Sequence, residues 1–132
     1  MPGTRFIRGL LLAALAVLML TPATASATST TSNLTLTIAS KGRAEGPRTV
    51  SLRCEPTGGT HPKAQAACDS LLAVAGNFDL VGQEHAGSPC PLVLRPVVAT
   101  AQGTWQGRPV KFQKEFGNDC VAAANAGPVF DF

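Results

Sequence analysis

The sequence predicts an α+β domain built on an antiparallel sheet. Three observations lead there. Short segments alternate apolar and polar residues with period two, one segment carries apolar residues at helical spacings of three and four, and no regular strand–helix–strand alternation links them. With 132 residues the chain has room for one domain.

The elements follow in order. Residues 28–33 (TSTTSN) are polar and read as a flexible tail. Leu34-Thr35-Leu36-Thr37-Ile38 alternates strictly and predicts a half-buried strand. Residues 41–47 (KGRAEGP) make a turn, after which Thr49-Val50-Ser51-Leu52 alternates again toward Cys54, so the two runs predict a hairpin. Residues 55–60 (EPTGGT) read as loop. Thr60 or His61 can then cap a helix with Pro62 in its first turn. Its apolar face carries Ala64, Ala67, Cys68, Leu71, Leu72 and Ala75, and Gly76-Asn77 ends it. Residues 83–91 (QEHAGSPCP) form an exposed loop. Residues 97–100 and 110–116 read as strands, with turn candidates at Gln102-Gly103 and Gln106-Gly107. Pro109 either starts its strand or lies at a sheet edge. A short helical turn is expected over residues 120–124, and the alternation of Val129-Phe130-Asp131-Phe132 predicts a fifth strand.

The front of the chain has a different character. Arg5 and Arg8 precede residues 10–20, an unbroken apolar run of 11, followed by small residues at Ala23, Ala25 and Ala27. This is the layout of a secretory signal peptide over residues 1–27, cut after Ala27 or, with a poorer fit, after Ala25. The competing reading is a membrane anchor, but the run falls short of the roughly 20 residues that a spanning helix needs. Residues 28–132 then form a single domain with nine basic and eight acidic residues. That balance offers no footprint for nucleic acid. The reading is a secreted, extracellular protein without membrane association after cleavage.

All four cysteines, Cys54, Cys68, Cys90 and Cys120, lie in this exported part, where an oxidising compartment favours disulfides. Gaps of 13, 21 and 29 residues do not suit a zinc site, and His61 and His85 complete no ligand spacing. Three pairings are open. The simplest joins neighbours in sequence, Cys54 with Cys68 and Cys90 with Cys120, and each closed loop contributes roughly 3–4 kcal/mol in the chain-entropy model.

Catalytic signatures are missing. There is no G-x-S-x-G elbow, no H-E-x-x-H and no phosphate loop. His61 beside Pro62 reads as a capping or surface residue, and His85 as a solvated one. The chain is therefore expected to be no enzyme and to need no cofactor or metal.

One segment stands out. Residues 89–96, Pro89-Cys90-Pro91-Leu92-Val93-Leu94-Arg95-Pro96, hold three prolines. Each fixes its own φ near −65° and pushes the residue before it toward extended geometry. A protease cleft accepts such an extended strand, and pre-ordering it removes part of the entropy cost of binding. The competing reading is a core strand over residues 92–94, stapled at Cys90.

Taken together, the segments GGTHPKAQAAC (58–68), CPLVLRPV (90–97), GTWQGRPV (103–110), FGNDC (116–120) and the ending VFDF resemble the Streptomyces subtilisin inhibitor family of secreted serine-protease inhibitors. The resemblance runs from about Leu34 to Phe132. It implies a five-stranded antiparallel sheet with two helices, disulfides paired Cys54–Cys68 and Cys90–Cys120, and a homodimer. It also implies a reactive bond at Leu92–Val93, with Leu92 entering the specificity pocket of a subtilisin-like or chymotrypsin-like serine protease. Pro89, Cys90, Pro91, Leu94 and Arg95 would be the flanking contacts. Three positions depart from the family. Leu92 stands where Met or Lys is common, and Leu94-Arg95 replace an aromatic and an acidic residue. A rival reading is a secreted binding module that acts on another extracellular enzyme, a metalloprotease or transglutaminase, through a different surface; a third is an inert extracellular scaffold.

Overall fold

Strand β1 (Ser32–Ser40) sits at the middle of the sheet, and its alternation shows why. Leu34, Leu36 and Ile38 are buried, while the threonines between them face the other way. These details come from a computed structural model that describes residues 23, 30–82 and 89–132. Apart from Ala23, the leader and its cleavage sites lie outside the described residues, as do Ser88 and His85.

β1 pairs antiparallel on one side with β2 (Arg48–Cys54) and on the other with β4 (Val97–Trp105). Beyond β2 lies the two-residue strand β3 (Gly58–Gly59), and beyond β4 lies β5 (Arg108–Phe116), giving the order β3-β2-β1-β4-β5 with every neighbour antiparallel. Pro109 is accommodated because β5 is an edge strand. Helix α1 (Ala64–Ala73) turns Ala67, Cys68 and Leu71 to the core, and helix α2 (Asp119–Ala126) turns in Ala122 and Ala126. The α+β architecture, with five antiparallel strands and two helices, is as the sequence predicts. Among the described residues no helix is long and apolar enough to cross a membrane.

Four local expectations are corrected. The fifth strand is Gly58–Gly59 and not residues 129–132, which lie at the end of a 3₁₀ turn over Gly127–Phe130. Pro128 favours that turn, and the adjacent Val129 and Phe130 are both buried, which a strand with one wet face does not permit. Phe130 packs against Phe78 and Phe112, with ring centroids 6.2 and 6.0 Å away. Residues 32 and 33 of the tail expected over 28–33 belong to β1, where Ser32 is fully buried and its Oγ accepts a hydrogen bond from the Gln106 amide at 2.9 Å. Gln102-Gly103 is strand interior and not a turn; the chain reverses at Gln106-Gly107, where both φ values are positive (46° and 77°), as a type I′ hairpin requires. Finally, α1 begins at Ala64, after Lys63, without a side-chain cap from Thr60 or His61 at its first residue.

His61 has another duty. It is buried, its Nδ1 accepts from the Lys63 amide at 3.0 Å, and its Nε2 lies 3.0 Å from the Val129 carbonyl. Both ring nitrogens are used in joining the start of α1 to the 3₁₀ turn, so the surface reading of this residue does not hold. At the other end of α1, Gly76 (φ +75°) donates to the Leu71 carbonyl at 2.8 Å and lies directly over the buried Trp105 ring.

The disulfides are Cys54–Cys68, with Cα atoms 5.6 Å apart, and Cys90–Cys120, with Cα atoms 5.8 Å apart. The first ties the end of β2 to α1. The second ties α2 to the segment that leads into β4.

Candidate functional site

That segment, residues 89–96, has no regular structure and stands away from the core. Leu92 is fully exposed (105%), Leu94 nearly so (82%), and Val93 is 46% exposed. A buried core strand over 92–94 is thereby excluded. Three exposed apolar side chains in a row are unusual here, since among the described residues the only other exposed large aliphatic side chains are Leu72 and Leu80.

Exposure alone would leave the segment loose, but it is held at five points. Cys90 is bonded to Cys120 in α2. The Asn118 side-chain amide donates to the Pro91 carbonyl at 3.1 Å and to the Val93 carbonyl at 2.9 Å, so one NH₂ group bridges the two sides of Leu92. The Arg95 amide donates to the Gly117 carbonyl at 2.8 Å, and the Pro96 carbonyl accepts from the Lys41 amide at 2.9 Å. Among the described residues no backbone hydrogen bond engages Leu92 or Leu94. Their amides and carbonyls remain free to pair with a strand of another protein.

Asn118 is itself fixed. Its backbone is extended, and its Oδ1 accepts from the Val121 amide at 2.9 Å, capping α2. The same planar side chain thus starts a helix with its oxygen and braces the loop with its nitrogen. The Arg48 guanidinium, 3.0 Å from Asp119, further secures this corner.

The structure brings Pro89, Cys90, Pro91, Leu92, Val93, Leu94 and Arg95 together as one exposed ridge, with Pro89 exposed and Cys90 half-buried. The sequence reading did not single out Asn118, Gly117 or Lys41. The Asn-Asp pair ahead of a helical turn was a detectable cap signature. Its reach to carbonyls 25 and 27 residues away was not detectable, because only the folded chain sets α2 beneath the loop.

Fold and site together define a class: a small disulfide-stapled domain that displays a braced, exposed, apolar loop. Comparison with known proteins sharpens this. The model of the family described as subtilisin inhibitor-like matches residues 29–118. Subtilisin inhibitor-like protein 5 of Streptomyces fradiae is 44% identical over 86 residues, 64% of this chain and 79% of that protein. The transglutaminase-activating metalloprotease inhibitor of Streptomyces mobaraensis is 43% identical over 86 residues, again 64% of this chain but 58% of that protein. Among solved structures, sermetstatin of Streptomyces caespitosus, crystallised with Bacillus licheniformis subtilisin, is similar at a TM-score of 0.61 and 32% identity, over 77% of this chain and 99% of that one. The chain belongs to the subtilisin inhibitor-like family, a family of protease inhibitors and not of enzymes.

Proposed function

We propose that this protein is a secreted inhibitor of subtilisin-like serine proteases that presents Leu92–Val93 as a substrate-like reactive bond. One observation carries the reading: the Asn118 amide holds the carbonyls on both sides of a fully exposed Leu92. A protease reads the extended strand and inserts the Leu92 side chain in its apolar pocket. Asn118, the Cys90–Cys120 disulfide and the Arg95–Gly117 hydrogen bond then keep the two ends in register after any cut, which favours resynthesis of the bond over release. Pro91 and Pro89 limit the conformations lost on binding. Protease–inhibitor complexes of this standard size, about 1,600 Å², are among the tightest known.

The proposal includes export by the leader over residues 1–27 and a homodimer formed through the sheet face that the helices leave open, where Thr35, Thr37, Ser51, Thr100 and Gln102 point outward. It is tested by titrating subtilisin, chymotrypsin and trypsin with the purified domain. Stoichiometric loss of subtilisin activity is expected, together with a slow cut between Leu92 and Val93 visible by mass spectrometry. Leu92→Gly should abolish tight inhibition and Leu92→Lys should shift it toward trypsin; subtilisin inhibition unaffected by Leu92→Gly would show that the reactive bond lies elsewhere.

The name of the Streptomyces mobaraensis relative favours a second reading, in which another surface acts on a metalloprotease. Metalloprotease inhibition that survives Leu92→Gly would establish it.

A further inference from the structure

The downstream end of the loop carries a cation, Arg95, that forms no ion pair among the described residues. Four ion pairs occur among the described residues: Lys41–Glu115 at 2.8 Å, Arg43–Glu45 at 3.7 Å, Arg48–Asp119 at 3.0 Å and Lys63–Asp131. Lys41 adjoins the loop through its amide on the Pro96 carbonyl, but its ammonium is taken up by Glu115. Asp119 lines the same shallow groove as Arg95, Pro91 and Val93, but its carboxylate is taken up by Arg48. Among the described residues Arg95, which is exposed, takes part in none of these pairs.

Its placement is fixed. Arg95 is the third residue after the Leu92–Val93 bond. Its amide is bonded to the Gly117 carbonyl at 2.8 Å, and the next carbonyl is bonded to the Lys41 amide at 2.9 Å. Two residues of chain span at most about 7 Å, so the root of the side chain lies within that reach of Val93. A side chain rooted there adjoins whatever receives the residues that follow the reactive bond.

We propose that Arg95 selects among serine proteases by charge, favouring enzymes whose cleft bears carboxylates on the side that accepts residues 93–96. This rests on the reactive-bond reading above and adds a partner class to it. A rim charge of this kind acts chiefly on the rate of association and is screened by salt. Leu92 sets which pocket is filled; Arg95 sets which of several similar enzymes is captured fastest.

The test is a charge-swap cycle. Association rate constants are measured for wild type, Arg95→Gln and Arg95→Glu against subtilisin and against a subtilisin variant given an added carboxylate on that rim, at low and high salt. Wild type is expected to capture the acidic enzyme about tenfold faster than Arg95→Glu at low salt, with the gap closing as salt screens it. Arg95→Gln should fall between them, and the gap should be smaller on the unmodified enzyme. Equal rates for all three proteins on both enzymes, with equal salt slopes, would overturn the proposal while leaving the reactive bond standing. Failure of wild type to inhibit either enzyme would instead remove the inhibitor reading itself, and this inference with it.

Discussion

Asn118 concentrates more consequence than any other single side chain. Its oxygen caps α2 and its nitrogen braces the loop, and the two duties can be separated by substitution. Asn118→Asp keeps an acceptor for the Val121 amide but loses both donors; Asn118→Ala loses everything. Removing a cap costs about 1 kcal/mol, which for a domain of this size is a Tm drop of about 4–8 °C. Asn118→Asp is therefore expected to melt near wild type and yet to be cut between Leu92 and Val93 much faster by subtilisin. Asn118→Ala should show both defects. Equal resistance of all three proteins to subtilisin would refute the bracing role. At this scale the sequence was informative about Leu92, whose setting between prolines and beside a cysteine marks the loop. It was silent about Asn118's second duty, since a hydrogen bond to a carbonyl 25 residues distant leaves no local pattern.

At the scale of elements, the β1–β4 ladder depends on a glycine that composition alone would assign to a turn. Gly103 lies opposite Leu34 with φ +135°, and a Cβ there would come 2.1 Å from the Asn33 carbonyl oxygen. Gly103→Ala is expected to destabilise the domain by roughly 2 kcal/mol or more through strain and a steric clash, seen as a lowered midpoint in thermal melting. An unchanged midpoint would mean that the strands can separate at no cost there. The two disulfides allow a sharper contrast. Replacing either pair by alanine should cost roughly 3–4 kcal/mol, measurable by denaturant titration. Only loss of Cys90–Cys120 releases the loop, so C90A/C120A should turn the inhibitor into a substrate. C54A/C68A should still inhibit below its own melting point; equal loss of inhibition in both would argue against local anchoring. Strands with strict alternation were readable in advance, Leu34–Ile38 above all. The ending Val129-Phe130-Asp131-Phe132 carried the same alternation and became a 3₁₀ turn at Val129 and Phe130, because Pro128 favours the turn and both of these adjacent side chains are buried, Phe130 against Phe78 and Phe112.

At the scale of the molecule, the helices and the 3₁₀ turn occupy one face of the sheet, and among the described residues the other is open. If that face joins two copies, sedimentation at micromolar concentration should give the mass of a dimer, and a charged residue at Thr100 should shift it to monomer without loss of subtilisin inhibition. A monomer at every concentration would dismiss the dimer and leave the loop untouched, since the loop is braced entirely within one chain.

Some of this molecule was settled by local order along the chain. Period-two alternation set the inner strands, the spacing of Ala67, Cys68 and Leu71 set the helix, and prolines around Cys90 made the loop stiff, because sterics and amphipathic periodicity act between near neighbours. Which strand became the fifth, what His61 touches and why Leu92 stays exposed without being loose were decided only by tertiary structure. Each depends on groups far apart in sequence whose meeting is fixed by how the sheet and α2 pack, and the buried His61 hydrogen bond is strengthened where that packing excludes water.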